Sequence, residues 1–139
     1  MPTRSASTEL LATPHDVWVL LSEPYHLADW WPNVATVEPD RRGFSAGARW
    51  RIRSRKATWI RRAEADDTFL IHVTEPERRF TFELLRARLR AELLLTSVAP
   101  ERSRADLTVS GPYLPGFSRT LARDALERLH DLVQTATDF

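Results

Sequence analysis

The stretch Ala48-Arg49-Trp50-Arg51-Ile52-Arg53-Ser54-Arg55 alternates without a slip. Trp50, Ile52 and Ser54 fall on one face, and Arg49, Arg51, Arg53 and Arg55 on the other. Side chains of an extended chain point to opposite faces in turn, so these residues predict a strand with one dry and one wet side. A helix over them would scatter the arginines around its circumference. One wet face points to an antiparallel sheet, because the crossover helices of a parallel sheet cover both faces.

The pattern spreads downstream. Phe69, Ile71 and Val73 repeat it, followed by Phe80, Phe82 and Leu84 after a turn at Pro76-Glu77. Residues 87–96 send Leu89, Ala91, Leu93 and Leu95 inward and Arg88, Arg90 and Glu92 outward, and residues 104–110 send Ala105, Leu107 and Val109 inward. Residues 34–38 make a brief strand before the turns marked by Arg41-Arg42-Gly43 and Gly47. Residues 56–67 fit either parity, through Trp59-Ile60 and Ala63/Ala65, and are read as strand.

Helices flank the strands. Residues 8–12 read as a short first strand, and Thr13-Pro14-His15-Asp16 then opens a helix. Thr13 serves as N-cap, Pro14 fits the first helical position, and Asp16 completes a variant capping box. A second short helix over residues 24–30 must stop near Trp31, because Pro32 disfavours helical geometry in the residue before it. After Gly111-Pro112-Tyr113-Leu114-Pro115-Gly116, one long helix spans residues 117–135. Its stripe of Ala122, Leu126, Leu129, Val133 and Ala136 is widened by Leu121, Ala125 and Leu132. At 1.5 Å per residue it is roughly 30 Å long, so it must lie along an equally long apolar surface. The concave face of a curved sheet is the candidate.

Composition narrows the function. A chain of 139 residues forms one domain, residues 1–139, with a core that needs no staples. Twenty basic against nineteen acidic residues leave a net charge of +1, which argues against a strong, non-specific grip on nucleic acid or anionic membrane. With no cysteine there is no disulfide scaffold, thiolate metal site or thiol chemistry. No apolar run suits a signal peptide or a bilayer span, so the expected location is the cytoplasm, without membrane insertion. Five Trp in so short a chain raise the question of what this aromatic surface covers.

The order of elements resembles the helix-grip fold of the START-like, or SRPBCC, superfamily over nearly the whole chain. That fold is α+β: a curved antiparallel sheet of about six to seven strands wraps a long C-terminal helix, with two short helices after the first strand. Four segments carry the resemblance. Ala12-Thr13-Pro14-His15-Asp16-Val17-Trp18 is similar to the opening of the family's first helix, and Trp30-Trp31-Pro32-Asn33-Val34 to the W-P element closing the second. Gly47-Ala48-Arg49-Trp50 resembles its glycine-led third strand, and Thr74-Glu75-Pro76-Glu77-Arg78-Arg79-Phe80 its strand turn. Together they are most similar to the branch of polyketide cyclase/dehydrase and lipid-transport proteins. The resemblance implies a cavity between sheet and long helix that holds an apolar small molecule, in a monomer or homodimer.

The residues themselves agree in part. Trp50, Ile52, Phe69, Ile71, Phe80, Phe82, Leu93 and Leu95 share the side of the helix stripe. With Trp31, Tyr113, Phe117 and Leu121 they make an expected ligand wall, Trp50 lying opposite Phe117 and Leu121. The bland alternative is a solid core. Polar groups able to orient a ligand are few: Tyr25, His26, Ser54 and Tyr113. His26 and Asp29 stand three apart on one helix and could form an acid–base dyad or half a metal site, but zinc normally takes three or four protein ligands. His15, His72 and His130 sit at exposed or edge positions, so no catalytic residue, metal site or cofactor is assigned.

Every basic residue but Lys56 is arginine. The rows Arg49/51/53/55 and Arg86/88/90 suit either an anionic partner or a solvated sheet face with partners such as Glu83, Glu92 and Asp106. The near-zero net charge favours the second. Three functions follow in order: carrier or sensor of an apolar small molecule, cyclase- or aromatase-like enzyme, and nucleic-acid or protein-interaction module.

Overall fold

The computed structural model describes residues 3–54, 66–111 and 120–137. Among these, seven strands form one antiparallel sheet: β1 (Thr3–Leu10), β2 (Val34–Glu38), β3 (Arg49–Ser54), β4 (Asp66–Glu75), β5 (Arg79–Leu84), β6 (Leu89–Ala99) and β7 (Arg102–Ser110). The spatial order is β1-β7-β6-β5-β4-β3-β2, so every neighbour but β1 is also a neighbour in sequence. Helices α1 (Pro14–Ser22) and α2 (Leu27–Trp30) follow β1, separated by a 3-10 turn at Pro24–His26, and α3 (Leu121–Thr137) follows β7. This is the helix-grip α+β arrangement.

The capping chemistry read from the sequence is present. The Thr13 hydroxyl accepts the Asp16 N–H at 3.1 Å, and Pro14 occupies the first turn of α1. Trp31, just before Pro32, is extended at ψ 125° and ends α2. Asn33 then takes φ 66°, a left-handed conformation that asparagine tolerates, and turns the chain into β2.

Four expectations change. The first strand is Thr3–Leu10 rather than residues 8–12, because its partner β7 supplies the pairing that its own polar sequence does not announce. A β-bulge falls between Ile71 and Val73, so Val73 pairs with Thr81 and leaves the inner face, while Thr74 opposite Phe80 replaces it. Residues 85–88 form the turn between β5 and β6, with Arg88 at φ 61°, so Arg86 and Arg88 belong to a turn rather than to a strand face. Helix α3 runs on to Thr137. The strand expected over residues 56–65 and the helix start at residues 117–119 lie outside the described residues.

A seven-stranded sheet is about 34 Å wide at ~4.8 Å per strand, and a helix is about 10 Å across. One helix therefore covers only part of the sheet. Helix α3 lies over β1 and β7 and against α2, laying Ala122, Ala125, Leu126, Leu129 and Val133 into the core, while Ala136, expected to continue the stripe, is exposed in the last turn. The strands farther from it are closed by aromatic side chains.

Candidate functional site

Trp18, Phe44, Phe80, Phe69, Phe82 and Trp31 form a chain of touching rings across the inner face of β4 and β5. Successive ring centroids lie 5.2, 4.7, 6.0, 4.3 and 5.2 Å apart, and Trp30 and Trp50 join at 5.7 Å from Trp31 and 5.1 Å from Phe69. Edge-to-face and offset contacts of this kind add to the burial of the rings. Trp50 is fully buried, and its indole N–H donates to the Gly43 carbonyl at 2.8 Å. The loop between β2 and β3 thereby folds Phe44 over the cluster. Sequence reasoning missed Phe44, whose loop position carries no periodicity.

The loop is itself anchored. The Asp40 carboxylate accepts the Arg42 N–H at 3.0 Å and the Arg49 N–H at 2.9 Å, and the Arg49 bond chiefly holds its pKa below the ordinary 3.8. Gly47, at φ 89°, hands the chain into β3.

Of the expected ligand wall, Trp50, Phe69, Ile71, Phe80, Phe82 and Leu93 are packed core, at most 1% exposed, and Leu95 is buried beside them. Trp31, Ile52 and Leu121 instead border a cavity of about 200 Å³. It opens at one end of the sheet, where β3 and β5 finish, β4 and β6 begin, and α3 starts. Pro32, Asn33, Val34, Ser54, Asp67, Leu84, Ala87 and Leu89 complete its lining. The space lies beside Ile52 and Leu121, whereas Trp50 is packed among the rings. Tyr113 and Phe117 lie outside the described residues.

The cavity's carboxylate is engaged. Asp67 pairs with Ile52 across β3 and β4 and so shares its inward side. One oxygen accepts N–H bonds from Thr68 at 2.7 Å and Arg86 at 2.6 Å, and the other accepts from Ala87 at 3.1 Å. Asp67 thereby ties the start of β4 to the turn that forms the far wall. The alternation had no place for it, because an Asp-Asp pair at a strand start reads as polar edge.

The remaining candidates have structural tasks. The His26 Nδ1 lies 2.9 Å from the Leu20 carbonyl, tethering the 3-10 turn to α1 rather than forming a dyad with Asp29. Tyr25 is exposed. His72 Nε2 meets Glu83 at 3.0 Å on the outer face, and His130 lies 3.5 Å from Asp131. His15 meets Glu77 at 2.8 Å, a hydrogen bond and charge that raise its pKa above 6.5. Among the described residues no group of three His, Asp or Glu comes together to hold a metal ion.

The arginine faces carry the expected partners: Arg90 with Glu83 at 3.5 Å, Arg79 with Glu92 at 2.9 Å, and Arg104 with Asp106 at 3.2 Å. Asp66 lies 3.2 Å from Arg53 and 4.0 Å from Arg51. Among the described residues, no helix is long and apolar enough to cross a membrane.

The sequence matches the family described as polyketide cyclase / dehydrase and lipid transport over residues 1–136. No curated protein matches the chain. Among solved structures, protein CV1439 from Chromobacterium violaceum superposes with a TM-score of 0.74 at 15% identity, covering 96% of this chain and 99% of that one. The XoxI protein from Bacillus cereus gives 0.71 at 14% identity, with 99% of each chain covered. The Aha1 dimer from Colwellia psychrerythraea gives 0.67 at 15% identity, with 96% of each covered. At such identities the likeness is one of fold.

Proposed function

We propose that this chain, which belongs to the polyketide cyclase/dehydrase and lipid transport family, carries or senses a compact apolar molecule held between the end of the sheet and α3. The observation behind this reading is the cavity bordered by Trp31, Ile52, Leu84, Leu89 and Leu121, apolar side chains surrounding an open space. Apolar side chains lining an open concavity are wetted, and a compact apolar molecule that takes their surface out of water gains the free energy of that burial. A volume of about 200 Å³ is below the roughly 300–1,000 Å³ typical of drug-sized ligand sites, which favours one or two rings or a short chain.

The aromatic core then serves as a rigid floor. Phe82 packs on Trp31 from below and fixes one wall of the space. Tyr113 and Phe117 remain part of the proposed lining, within one domain of residues 1–139. A cyclase or aromatase would need an acid or base turned toward the ligand, and the Asp67 oxygens are already held by three backbone N–H groups. The carrier reading therefore takes precedence.

Calorimetric titration with 1-octanol tests it. The chain should bind in a saturable, single-site manner. Ile52→Trp, which puts an indole into the space, should weaken binding at least tenfold without loss of cooperative folding. Absence of saturable binding, or equal binding by Ile52→Trp, would overturn the proposal.

A further inference from the structure

Trp31 is held in one orientation at the cavity wall. Its ring meets Phe82 edge-to-face at 5.2 Å and Trp30 at 5.7 Å, with interplanar angles of 83° and 87°. Its backbone is extended at ψ 125° before Pro32, which keeps it from continuing α2. The indole N–H therefore cannot swing away to find a partner, although buried indoles usually have one. That of Trp50 donates to the Gly43 carbonyl at 2.8 Å. No acceptor meets the Trp31 N–H among the described residues.

Nor is that N–H walled in. Among the described residues, the shielded side-chain atoms without a partner are Arg4 Nε and Ser103 Oγ, and the Trp31 nitrogen is not one of them. Trp31 as a whole is only 3% exposed, and the open space it borders is the cavity. Its donor is thus left for whatever fills that space.

The rest of the lining narrows the choice of occupant. Val34, Ile52, Leu84, Leu89 and Leu121 are apolar, which suits a ligand with a single polar atom. The Asp67 carboxylate also borders the space, and an anionic ligand would meet its charge at short range, where water screens least. Its oxygens already accept three backbone N–H bonds, so Asp67 stays in the wall.

We infer that the Trp31 indole N–H is the anchor for the carbonyl oxygen of a neutral, compact ketone or ester lodged in the cavity. The inference rests on the proposed ligand site and adds the chemical class of its occupant. A carbonyl accepts the N–H without bringing a donor that the apolar walls would leave unpaired. A site with a donor waiting also discriminates against analogues that lack the acceptor, because the donor then loses water and gains nothing.

Acetophenone and α-methylstyrene share one shape, a carbonyl oxygen in the first standing where the second has a methylene. Both, together with benzoate, are titrated calorimetrically at neutral pH into the parent chain and Trp31→Phe. Exchange of the indole protons is followed by ¹H–¹⁵N NMR in the parent. In Trp31→Phe, acetophenone affinity relative to α-methylstyrene should fall about fivefold, the worth of one neutral hydrogen bond. Saturating acetophenone should slow exchange of the Trp31 indole proton at least about fivefold more than saturating α-methylstyrene. Benzoate should bind the parent more weakly than acetophenone, and equal binding would overturn the neutral class. If α-methylstyrene binds but either the affinity ratio or the exchange ignores the carbonyl, the anchoring role is wrong and the cavity reading stands. Should Trp31→Phe fail to fold, the exchange comparison in the parent decides alone. If none of the three binds the parent, both readings fall.

Discussion

Asp67 shows how one side chain can belong to a cavity without acting on its contents. Its three N–H bonds stitch the start of β4 to the turn before β6, so the carboxylate shapes the wall instead of facing the ligand. Replacing it by alanine leaves partly buried N–H groups without acceptors, and should lower unfolding stability by about 1–3 kcal/mol in urea. Two exposed groups give pH signatures. Asp40 has a depressed pKa in the folded chain, so its contribution is complete above the ordinary 3.8 and is lost as pH falls through the depressed value. His15 is the opposite case: its raised pKa gives a contribution complete below 6.5 and lost as pH rises through the folded value. An NMR titration should place the His15 midpoint above 6.5, and Glu77→Gln should move it down. A midpoint indifferent to Glu77 would show that the 2.8 Å contact is not populated in solution.

At the scale of elements, what the sequence revealed depended on whether a segment's own residues carry the signal. Residues 34–38 form β2 as expected, and β3 shows the dry and wet faces its alternation announced. The N-cap at Thr13 was equally local, and Thr13→Ala should cost about 1 kcal/mol in chemical denaturation. Features set by a partner were hidden. Strand β1 exists because β7 lies beside it: Ser5 meets Thr108 at 3.1 Å, and Ser7 hydrogen-bonds Asp106. The bulge that turns Val73 outward likewise depends on the pairing of β4 with β5. The cavity was legible only in part. Trp31, Ile52 and Leu121 were anticipated as apolar inward residues, but periodicity does not say which inward residues touch each other and which border a space.

For the whole molecule, the governing fact is the mismatch between a wide sheet and one helix. Helix α3 covers β1 and β7, and the remaining inner face is filled by rings from α1, α2, the β2–β3 loop and the strands. This answers what four of the five tryptophans cover: Trp18, Trp30, Trp31 and Trp50 close the strands that the helix does not reach. Phe44 links the β2–β3 loop to this cluster. Because it is only half-buried, Phe44→Ala should cost less than the ~3–5 kcal/mol of a fully packed phenylalanine, and the Trp50 indole N–H should exchange faster once its loop partner loosens. Amide exchange of that single proton provides the check. Slow exchange unchanged in the variant would mean that Gly43 is held by other contacts.

The central claim is that the packing leaves a space at the end of the sheet beside Trp31, and no space at Trp50. Two-dimensional ¹H–¹⁵N NMR of the tryptophan indoles during titration with 1-octanol tests it directly. The Trp31 resonance, at the cavity wall, should shift in a saturable manner, while that of Trp50, bonded to Gly43 within the packed rings, should stay in place. Equal shifts at both indoles, or none at Trp31, would contradict the account.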